Sequence, residues 1–447
     1  TREQITRHPS PEPGMTNPSP RPLRIALINN LYPPYIVGGN EILARDVTQS
    51  LRARGHSVHI LTGRGENLPA DGFTHGALDI DLDRKQDFFL GGLPLTAKRV
   101  IDWHLYNHRT FTQVRDTLRR IQPDLIICWN LGMVSAAPLL AARTIGAPVI
   151  AHPADKWLLS SLNNIGALVP ANSAAQRVFV ESLHHGAQPA LRALGTPDYI
   201  LCVSEFIRNL HIDAGYPAAQ SAATWLGIDS GRFGYWQHLH PGLERPWRLV
   251  YAGQLWAGKG PQVAVEAVRL HNQRTDLPKV TLDIYGSGAD GFLQWLQGQI
   301  VEKGVQDAVT LRGFASTDAL IQAFHASDLY LFCSIWDEPF SGGLLEALAT
   351  GLPTTATTAG GTPEAIVAGE NGLLVPPDDP VALAAALERM MRDADGYTRM
   401  GIRAAVDVRQ RWEFAHYIDR LEAHYRAIVT GHRPGAPVDL SIAHTHA

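Results

Sequence analysis

The chain has 447 residues, a formal net charge of −4 and 45% hydrophobic residues. This length exceeds what one simple core requires, so two domains are expected, and the small net charge gives no global field that would attract nucleic acid. The three cysteines are scattered in apolar surroundings (Cys128, Cys202 and Cys333). They indicate neither a disulfide framework nor a metal site, and they are typical of a reducing cytosol.

The two ends of the chain differ in composition from its middle. Residues 1–22 are rich in proline, arginine and serine and contain no apolar run of the kind that a signal peptide needs. We expect them to form a disordered leader, and we expect residues 431–447 to form a flexible tail.

The first ordered segment predicts a β-α-β unit. Residues 24–29 (RIALIN) are typical of a buried strand, residues 41–55 have helical periodicity, and residues 56–63 predict a second strand. Such units place a ligand cleft at the carboxyl ends of the strands. Gly38 and Gly39 follow the first strand, so they form either a plain turn or a place where a ligand approaches the bare backbone.

Two later segments of this half could be mistaken for membrane elements. Residues 95–120 combine six basic side chains with aromatic ones, which would suit an anionic surface, but a helix pair with a solvated basic face is favoured because no long amphipathic repeat is present. Residues 125–142 carry no charge, yet Asn130, Gly132, Ser135 and Pro138 interrupt them. A strand, a loop and a short helix explain this stretch better than a membrane span.

His152 leaves another predicted strand, in residues 148–159 (PVIAHPADKWLL), at its carboxyl end, and Asp155 follows it. A lone histidine is more often a packed core residue than a catalyst. Its position favours a role in binding, because ligands of α/β sheets bind at the carboxyl ends of the strands.

The second half opens with a strand, a loop and a helix that begins at Pro261. Lys259 lies just before this helix, where an ammonium group is unfavourable unless an anion lies between it and the helix end. A diphosphate is such an anion, and an ordinary exposed lysine is the alternative.

Gly286, Gly288 and Gly291 then form the pattern of a dinucleotide fingerprint. The next strand ends in Arg312-Gly313 without the acid that the fingerprint requires, which disfavours an oxidoreductase. A glycine loop that faces the same cleft is the better interpretation.

Residues 336–350 (WDEPFSGGLLEALAT) are the most informative stretch. Ser341 is a natural N-cap, and Gly342 and Gly343 open the helix without side chains, so its free N–H groups suit a phosphate. Glu338 precedes the helix and Glu346 lies within it, and carboxylates accept hydrogen bonds from vicinal hydroxyls. An amphipathic helix with two solvated glutamates is disfavoured, because the glycines would weaken its first turn without a structural reason.

Three further elements follow. Residues 359–366 (AGGTPEAI) predict a loop and a helix with Thr362 as its cap and Glu364 in its first turn. Residues 371–387 predict a turn, a strand and a helix, and residues 412–428 predict a closing helix.

This succession is similar to the E-x7-E motif and C-terminal domain of retaining GT-B glycosyltransferases of the family 4 type, and the resemblance extends over nearly all of residues 24–429. It implies an α/β fold of two Rossmann-like doubly wound domains with an interdomain cleft. The implied domains are an acceptor-side domain (23–226), a nucleotide-sugar domain (227–411) and a helix that crosses back onto the first domain (412–430).

The resemblance implies transfer of a sugar from a nucleoside-diphosphate sugar, with retention of configuration and with neither a catalytic metal nor a cofactor. Three residues are implied in catalysis: Glu338 at the donor hydroxyls, Lys259 at the leaving diphosphate, and His152, with Asp155 as a weaker candidate, at the reacting carbon. The implied donor-binding residues are Gly38, Gly39, Gln254, Gly286, Phe340, Ser341, Gly342, Gly343 and Glu346, the last at the ribose, and Gly313-Phe314 resembles the segment that contacts the base. Gln254 departs from the family, which usually has an arginine there, so the donor would be held with less positive charge.

Several alternatives stay open. A GT-B protein that binds a sugar nucleotide with little or no transfer is one, and a GT-B epimerase or phosphorylase is another. The acceptor is a sugar, a lipid-linked glycan or a small molecule. We expect a cytoplasmic protein without a nucleic-acid partner, and weak peripheral contact at the inner membrane face is the remaining partner hypothesis.

Overall fold

The computed structural model describes residues 21–84, 102, 106–132, 134–162, 178, 182, 186, 189, 190 and 192–431. The predicted leader and tail therefore lie almost entirely outside the described residues, as do residues 95–101 and 103–105 of the basic segment 95–120. The described part of that segment includes a helix over His108–Ile121.

The first domain is built on a seven-stranded sheet in which all neighbouring strands run parallel, in the order β3-β2-β1-β4-β5-β6-β7. Its strands are β1 (Arg24–Asn29), β2 (Ser57–Arg64), β3 (Thr74–Asp81), β4 (Leu125–Asn130), β5 (Val149–Ala151), β6 (Tyr199–Cys202) and β7 (Ser221–Ala223). The accompanying helices are α1 (Gly39–Ala53), α2 (His108–Ile121), α3 (Ala137–Arg143), α4 (Trp157–Leu162) and α5 (Glu205–Asp213).

The second domain has a six-stranded parallel sheet in the order β10-β9-β8-β11-β12-β13. Its strands are β8 (Trp247–Ala252), β9 (Val280–Tyr285), β10 (Val309–Gly313), β11 (Leu329–Phe332), β12 (Thr354–Thr357) and β13 (Leu373–Val375). Its helices are α6 (Pro261–Asn272), α7 (Asp290–Glu302), α8 (Thr317–Ala326), α9 (Gly342–Ala349), α10 (Pro380–Arg392) and α11 (Ala394–Arg411), and α12 (Phe414–Val429) follows them.

Both faces of the sheets are covered, as the hydrophobic strands require. In the first domain, alternate residues of β1 pack on opposite sides, so that Leu27 lies in the core beneath α1 and α12 while Ile28 lies in the core beneath α2. Helix α12 contributes the buried side chains of Tyr417, Leu421 and Tyr425 to the first domain. The closing helix therefore crosses back, and the predicted GT-B architecture is confirmed.

Two local predictions have different outcomes. Residues 125–142 form β4, a loop and most of α3, as expected, and none of the described helices is long and apolar enough to span a membrane. The helix predicted after Thr362 is wrong, because the chain forms a single 3₁₀ turn over Thr362–Glu364. The carboxylate of Glu364 instead reaches the first domain, as described below.

Candidate active site

The amino end of α9 is open towards the cleft. Ser341 caps the helix by accepting a hydrogen bond from the N–H of Leu344 at 3.3 Å. A methyl group placed on Gly342 would meet no atom within 4 Å, so the space in front of this first turn is free. The free N–H groups and the positive end of the helix dipole make it a suitable place for a phosphate group.

Lys259 and Glu338 form an ion pair beside this helix, although 79 positions separate them in the chain. The Nζ–Oε1 distance is 2.5 Å, and the side chains are 19% and 3% exposed. The hydroxyl of Ser334 donates to the same carboxylate oxygen at 2.8 Å, and the Lys259 ammonium lies 5.1 Å from the ring centroid of Trp336. The sequence predicted a role for each residue of the pair but not their contact.

Two glycines allow the backbone segments that carry Lys259 and Glu338 to pack closely on their neighbours. Gly260 has a φ of +71°, and a Cβ there would lie 1.9 Å from the carbonyl oxygen of Cys333, so the turn that carries Lys259 packs directly on the end of β11. Gly360 has a φ of +59°, and a Cβ there would lie 2.2 Å from the carbonyl oxygen of Glu338. Neither glycine can therefore be replaced without displacing the backbone next to Lys259 or at Glu338.

Glu346 lies within α9 and is partly exposed. Burial raises the pKa of Glu346 to about 7, and the positive charge of Arg232 opposes this shift. Because the group titrates near neutral pH, its capacity to accept hydrogen bonds depends on pH.

The glycine loop after β9 has a packing role that the fingerprint pattern did not reveal. A Cβ on Gly286 would lie 1.8 Å from the carbonyl oxygen of Gly253, and one on Gly288 would lie 2.0 Å from that of Leu255. The loop thus packs against the backbone on either side of Gln254. This close packing explains these two glycines without a bound nucleotide.

Gln254 and the Gly38-Gly39 loop meet across the cleft. The Gln254 amide donates to the carbonyl oxygen of Val37 at 3.3 Å, and a Cβ on Gly38 would lie 3.4 Å from the amide nitrogen. A Cβ on Gly39 would meet nothing within 4 Å, so this backbone is accessible. The carboxylate of Glu41 accepts from the N–H of Gly38 at 2.8 Å and orders the loop.

His152 follows β5 as expected, but its side chain is fully buried. Its Nε2 lies 3.0 Å from the hydroxyl of Tyr417 on α12, its ring centroid lies 4.3 Å from that of Trp129, and its Nδ1 has no partner among the described residues. Burial lowers the pKa of His152 to about 3, and His424 adds to the shift. The imidazole is therefore neutral at pH 7.

Asp155 and Lys156 lie on the first-domain side of the cleft. Burial raises the pKa of Asp155 to about 6, and the negative charge of Glu41 adds to the shift, while a hydrogen bond from the N–H of Trp157 opposes it. Lys156 forms an ion pair across the domains with Asp337, at 2.7 Å from Nζ to Oδ2. This contact, next to Glu338 in the chain, was not predicted.

The remaining predicted site residues are two phenylalanines with different surroundings. The side chain of Phe340 is buried, with its ring centroid 6.1 Å from that of Trp412, so only its backbone is suited to a ligand contact. Phe314 is 80% exposed. Gly313, just before it, has a φ of +73° and accepts a hydrogen bond from the N–H of Gly286 at 2.8 Å.

Known families match both halves of this cleft. A model described as Glycosyltransferase Family 4 matches residues 37–232, and one described as Glycosyl transferases group 1 matches residues 246–393. The chain is also 25% identical to a glycogen synthase of Mycobacterium tuberculosis over 377 residues, which cover 83% of this chain and 86% of that protein.

Solved structures share the fold over almost the whole chain. Sucrose-phosphate synthase from Thermosynechococcus elongatus has a TM-score of 0.67 and 19% identity, and the match covers 91% of this chain and 99% of that one. HepE from Anabaena, solved in complex with UDP, has a TM-score of 0.64 and 18% identity, with coverage of 91% and 100%.

Proposed function

Because this chain belongs to the glycosyltransferases with the GT-B fold, we propose that it moves a sugar from a nucleoside-diphosphate sugar to a hydroxyl group of an acceptor. The observation that carries the proposal is the Lys259–Glu338 pair beside the open amino end of α9. A cation and free N–H groups on one side of a cleft suit a diphosphate, and a carboxylate suits sugar hydroxyls.

The leaving diphosphate is the group whose negative charge grows as the glycosidic bond breaks. In the proposal, Lys259 and the first N–H groups of α9 stabilise this charge, and such preorganised electrostatic stabilisation is usually the largest catalytic contribution. These groups supply positive charge to the diphosphate directly, so the proposal includes no catalytic metal. A bound diphosphate would compete with Glu338 for the ammonium of Lys259, which couples donor binding to the state of the carboxylate.

Donor recognition is assigned to groups around the same helix. Glu338 would accept hydrogen bonds from sugar hydroxyls, and the backbone N–H groups of residues 340–342 would assist it. Glu346 would accept from the ribose. The solved HepE structures contain UDP and UDP-glucose, which supports a uridine nucleotide as the first donor to test.

The first domain would hold the acceptor and the far side of the sugar. The backbone at Gly39 is accessible, and Gly38 packs near the amide of Gln254. His152 would act as a neutral hydrogen-bonding group close to the reacting carbon through its Nδ1, because Nε2 is already bonded to Tyr417 and the lowered pKa excludes an imidazolium at pH 7. The side chain is fully buried, so in this proposal donor binding has to uncover Nδ1. We extend the proposal to retention of the anomeric configuration, as the resemblance to family 4 enzymes implies, and assign no nucleophile.

A thermal-shift titration with nucleoside diphosphates and sugar nucleotides tests the donor site. Binding to the folded state raises the unfolding midpoint by mass action, so one base should stand out. The Glu338→Gln variant should lose the additional shift that the sugar gives over the bare diphosphate. Glu370→Gln is the matched control, because Glu370 is an exposed carboxylate outside the cleft. A flat response of the native protein to every nucleotide would contradict the proposal.

A second function is favoured by one observation. Gln254 replaces the usual arginine, and its amide is engaged with Val37 of the other domain. A protein that binds sugar nucleotides without rapid transfer would fit this reduced charge. Measurable donor binding together with no release of nucleotide, with or without candidate acceptors, would favour this function over transfer.

A further inference from the structure

Glu364 joins the two domains through three hydrogen bonds. It belongs to the second domain, in the 3₁₀ turn after β12. Its Oε2 accepts from the N–H of Glu205 at 2.9 Å and from the indole N–H of Trp225 at 2.6 Å, and its Oε1 accepts from the N–H of Phe206 at 2.7 Å. Both carboxylate oxygens are therefore used by groups of the first domain and of the segment that links the domains.

The partners of Glu364 are suited to an anion. Glu205 and Phe206 are the first residues of α5, whose N-cap is Ser204, and the amino end of a helix carries unpaired N–H groups and a partial positive charge. Ser204 accepts from the N–H of Ile207 at 3.1 Å, so the cap and Glu364 together satisfy three of the four free N–H groups of this helix end.

The segment that links the domains (residues 224–246, between β7 and β8) is also bonded to α12. Trp225 has a φ of +30°, which is strained for a residue with a side chain. Its indole is bonded to Glu364, while Arg420 of α12 donates to the carbonyl oxygens of Thr224 at 3.3 Å and of Trp225 at 3.2 Å. The surroundings therefore fix the backbone at the beginning of the link.

The loop that carries Glu364 also packs on the backbone of Glu338. Gly361 donates to the carbonyl oxygen of Glu338 at 2.6 Å, and a Cβ on Gly360 would lie only 2.2 Å from that oxygen. A Cβ on Gly361 would lie 3.2 Å from the hydroxyl of Ser204 in the first domain. The loop of residues 360–364 thus contacts the first domain through Glu364 and the backbone of Glu338 through Gly360 and Gly361.

We propose that Glu364 is a positioning residue that couples the pairing of the two domains to the placement of Glu338. The proposal rests on the proposed function, because it assigns Glu338 to the donor sugar. Glu364 itself touches no substrate. Its effect should therefore fall on turnover, which needs both domains in register. Binding of the bare nucleoside diphosphate should change little, because the contacts proposed for it (Lys259, Glu346 and the first N–H groups of α9) all lie in the second domain.

The Glu364→Gln variant tests this division. In this variant an amide NH2 group replaces one of the two accepting oxygens, so at least one of the three donors loses its hydrogen bond while the side-chain volume is nearly unchanged. We expect kcat to fall by about tenfold to a hundredfold, since a misplacement near 1 Å can have that effect, and the Kd for nucleoside diphosphate to change by less than about threefold. Glu370→Gln, at an exposed carboxylate of the second domain, should leave both unchanged. Equal kcat in Glu364→Gln and the native protein would overturn the proposal, as would a parallel loss of nucleotide affinity.

A second measurement does not depend on activity. Spin labels at Arg119→Cys in α2 and Gln297→Cys in α7 use exposed positions of the two domains, and the native cysteines are buried. Pulsed EPR should give a broader and longer distance distribution in the Glu364→Gln background than in the native one. If that variant does not fold, Trp225→Phe removes only the indole donor and should broaden the distribution in the same direction. An unchanged distribution would refute the coupling, even if the protein proved to have no transferase activity.

Discussion

Replacing Lys259 with methionine would leave a buried carboxylate without its cation. The side chain of Glu338 is 3% exposed and that of Lys259 is 19% exposed. Breaking a buried ion pair by removing one partner costs about 3 to 5 kcal/mol. Ser334 still donates to the carboxylate, and Lys259 is partly solvated, so we expect a loss near the lower limit, about 3 kcal/mol. For a domain of this size, that corresponds to a fall in Tm of about 6 to 12 °C.

The assay is thermal and urea unfolding of Lys259→Met, Glu338→Gln and the double variant. The double variant should recover much of the loss, because the buried charge and its partner are removed together, and the coupling energy should exceed about 1 kcal/mol. Lys303→Met is the matched control. Its ammonium lies 2.8 Å from Glu266, but both side chains are more exposed, at 27% and 22%, so its loss should stay below about 1 kcal/mol. A Tm for Lys259→Met equal to that of Lys303→Met would refute the reasoning.

Three further outcomes are expected. The kcat/KM for the donor should rise between about pH 6 and 8. Burial raises the pKa of Glu346 to about 7, and its carboxyl group accepts hydrogen bonds from hydroxyls best when it is ionised. An unchanged pH profile in Glu346→Gln would contradict this. Gln254→Arg should lower the Kd for nucleoside diphosphate by about fivefold in calorimetry, since a charge-assisted hydrogen bond is about 1 kcal/mol stronger than a neutral one. An equal Kd would show that the side chain does not face the phosphates. Burial lowers the pKa of His238 to about 4, so between about pH 6.5 and 4 this histidine is protonated in the unfolded state and neutral in the folded state. The free energy of unfolding should therefore decrease as the pH falls through this range. Urea unfolding of His238→Gln should show a smaller decrease, and an identical decrease would exclude this histidine as a cause.

The individual strands and the helix with its glycines could be predicted because their signals are local, whereas the GT-B arrangement of the two domains was implied by the resemblance to family 4 glycosyltransferases. Apolar runs gave the strands, and the Ser341-Gly342-Gly343 sequence marked an open helix start that the structure contains. The position of Lys259 just before a helix was also predicted, from Pro261 at the start of that helix. Each of these features depends on residues that are adjacent in the chain.

The contacts that assemble the cleft could not be predicted in this way. Lys259 lies 79 positions from Glu338, and Glu364 lies 139 positions from Trp225. Their pairing depends on the packing of whole sheets, about which periodicity carries no information. The same holds for His152, whose strand position was predicted but whose contact with Tyr417 needs a helix from the far end of the chain.

The anomeric configuration of the first product tests the central claim most directly. A donor whose sugar is α-linked to UDP is incubated with the protein and a chelator, and we expect its sugar to be transferred to water. Proton NMR, recorded with enough protein for release to outpace mutarotation, distinguishes the two anomers before they equilibrate. We predict that the α-anomer appears first and that Lys259→Met abolishes its formation. Initial release of the β-anomer, or release that survives in Lys259→Met, would contradict retaining, metal-independent transfer in this cleft.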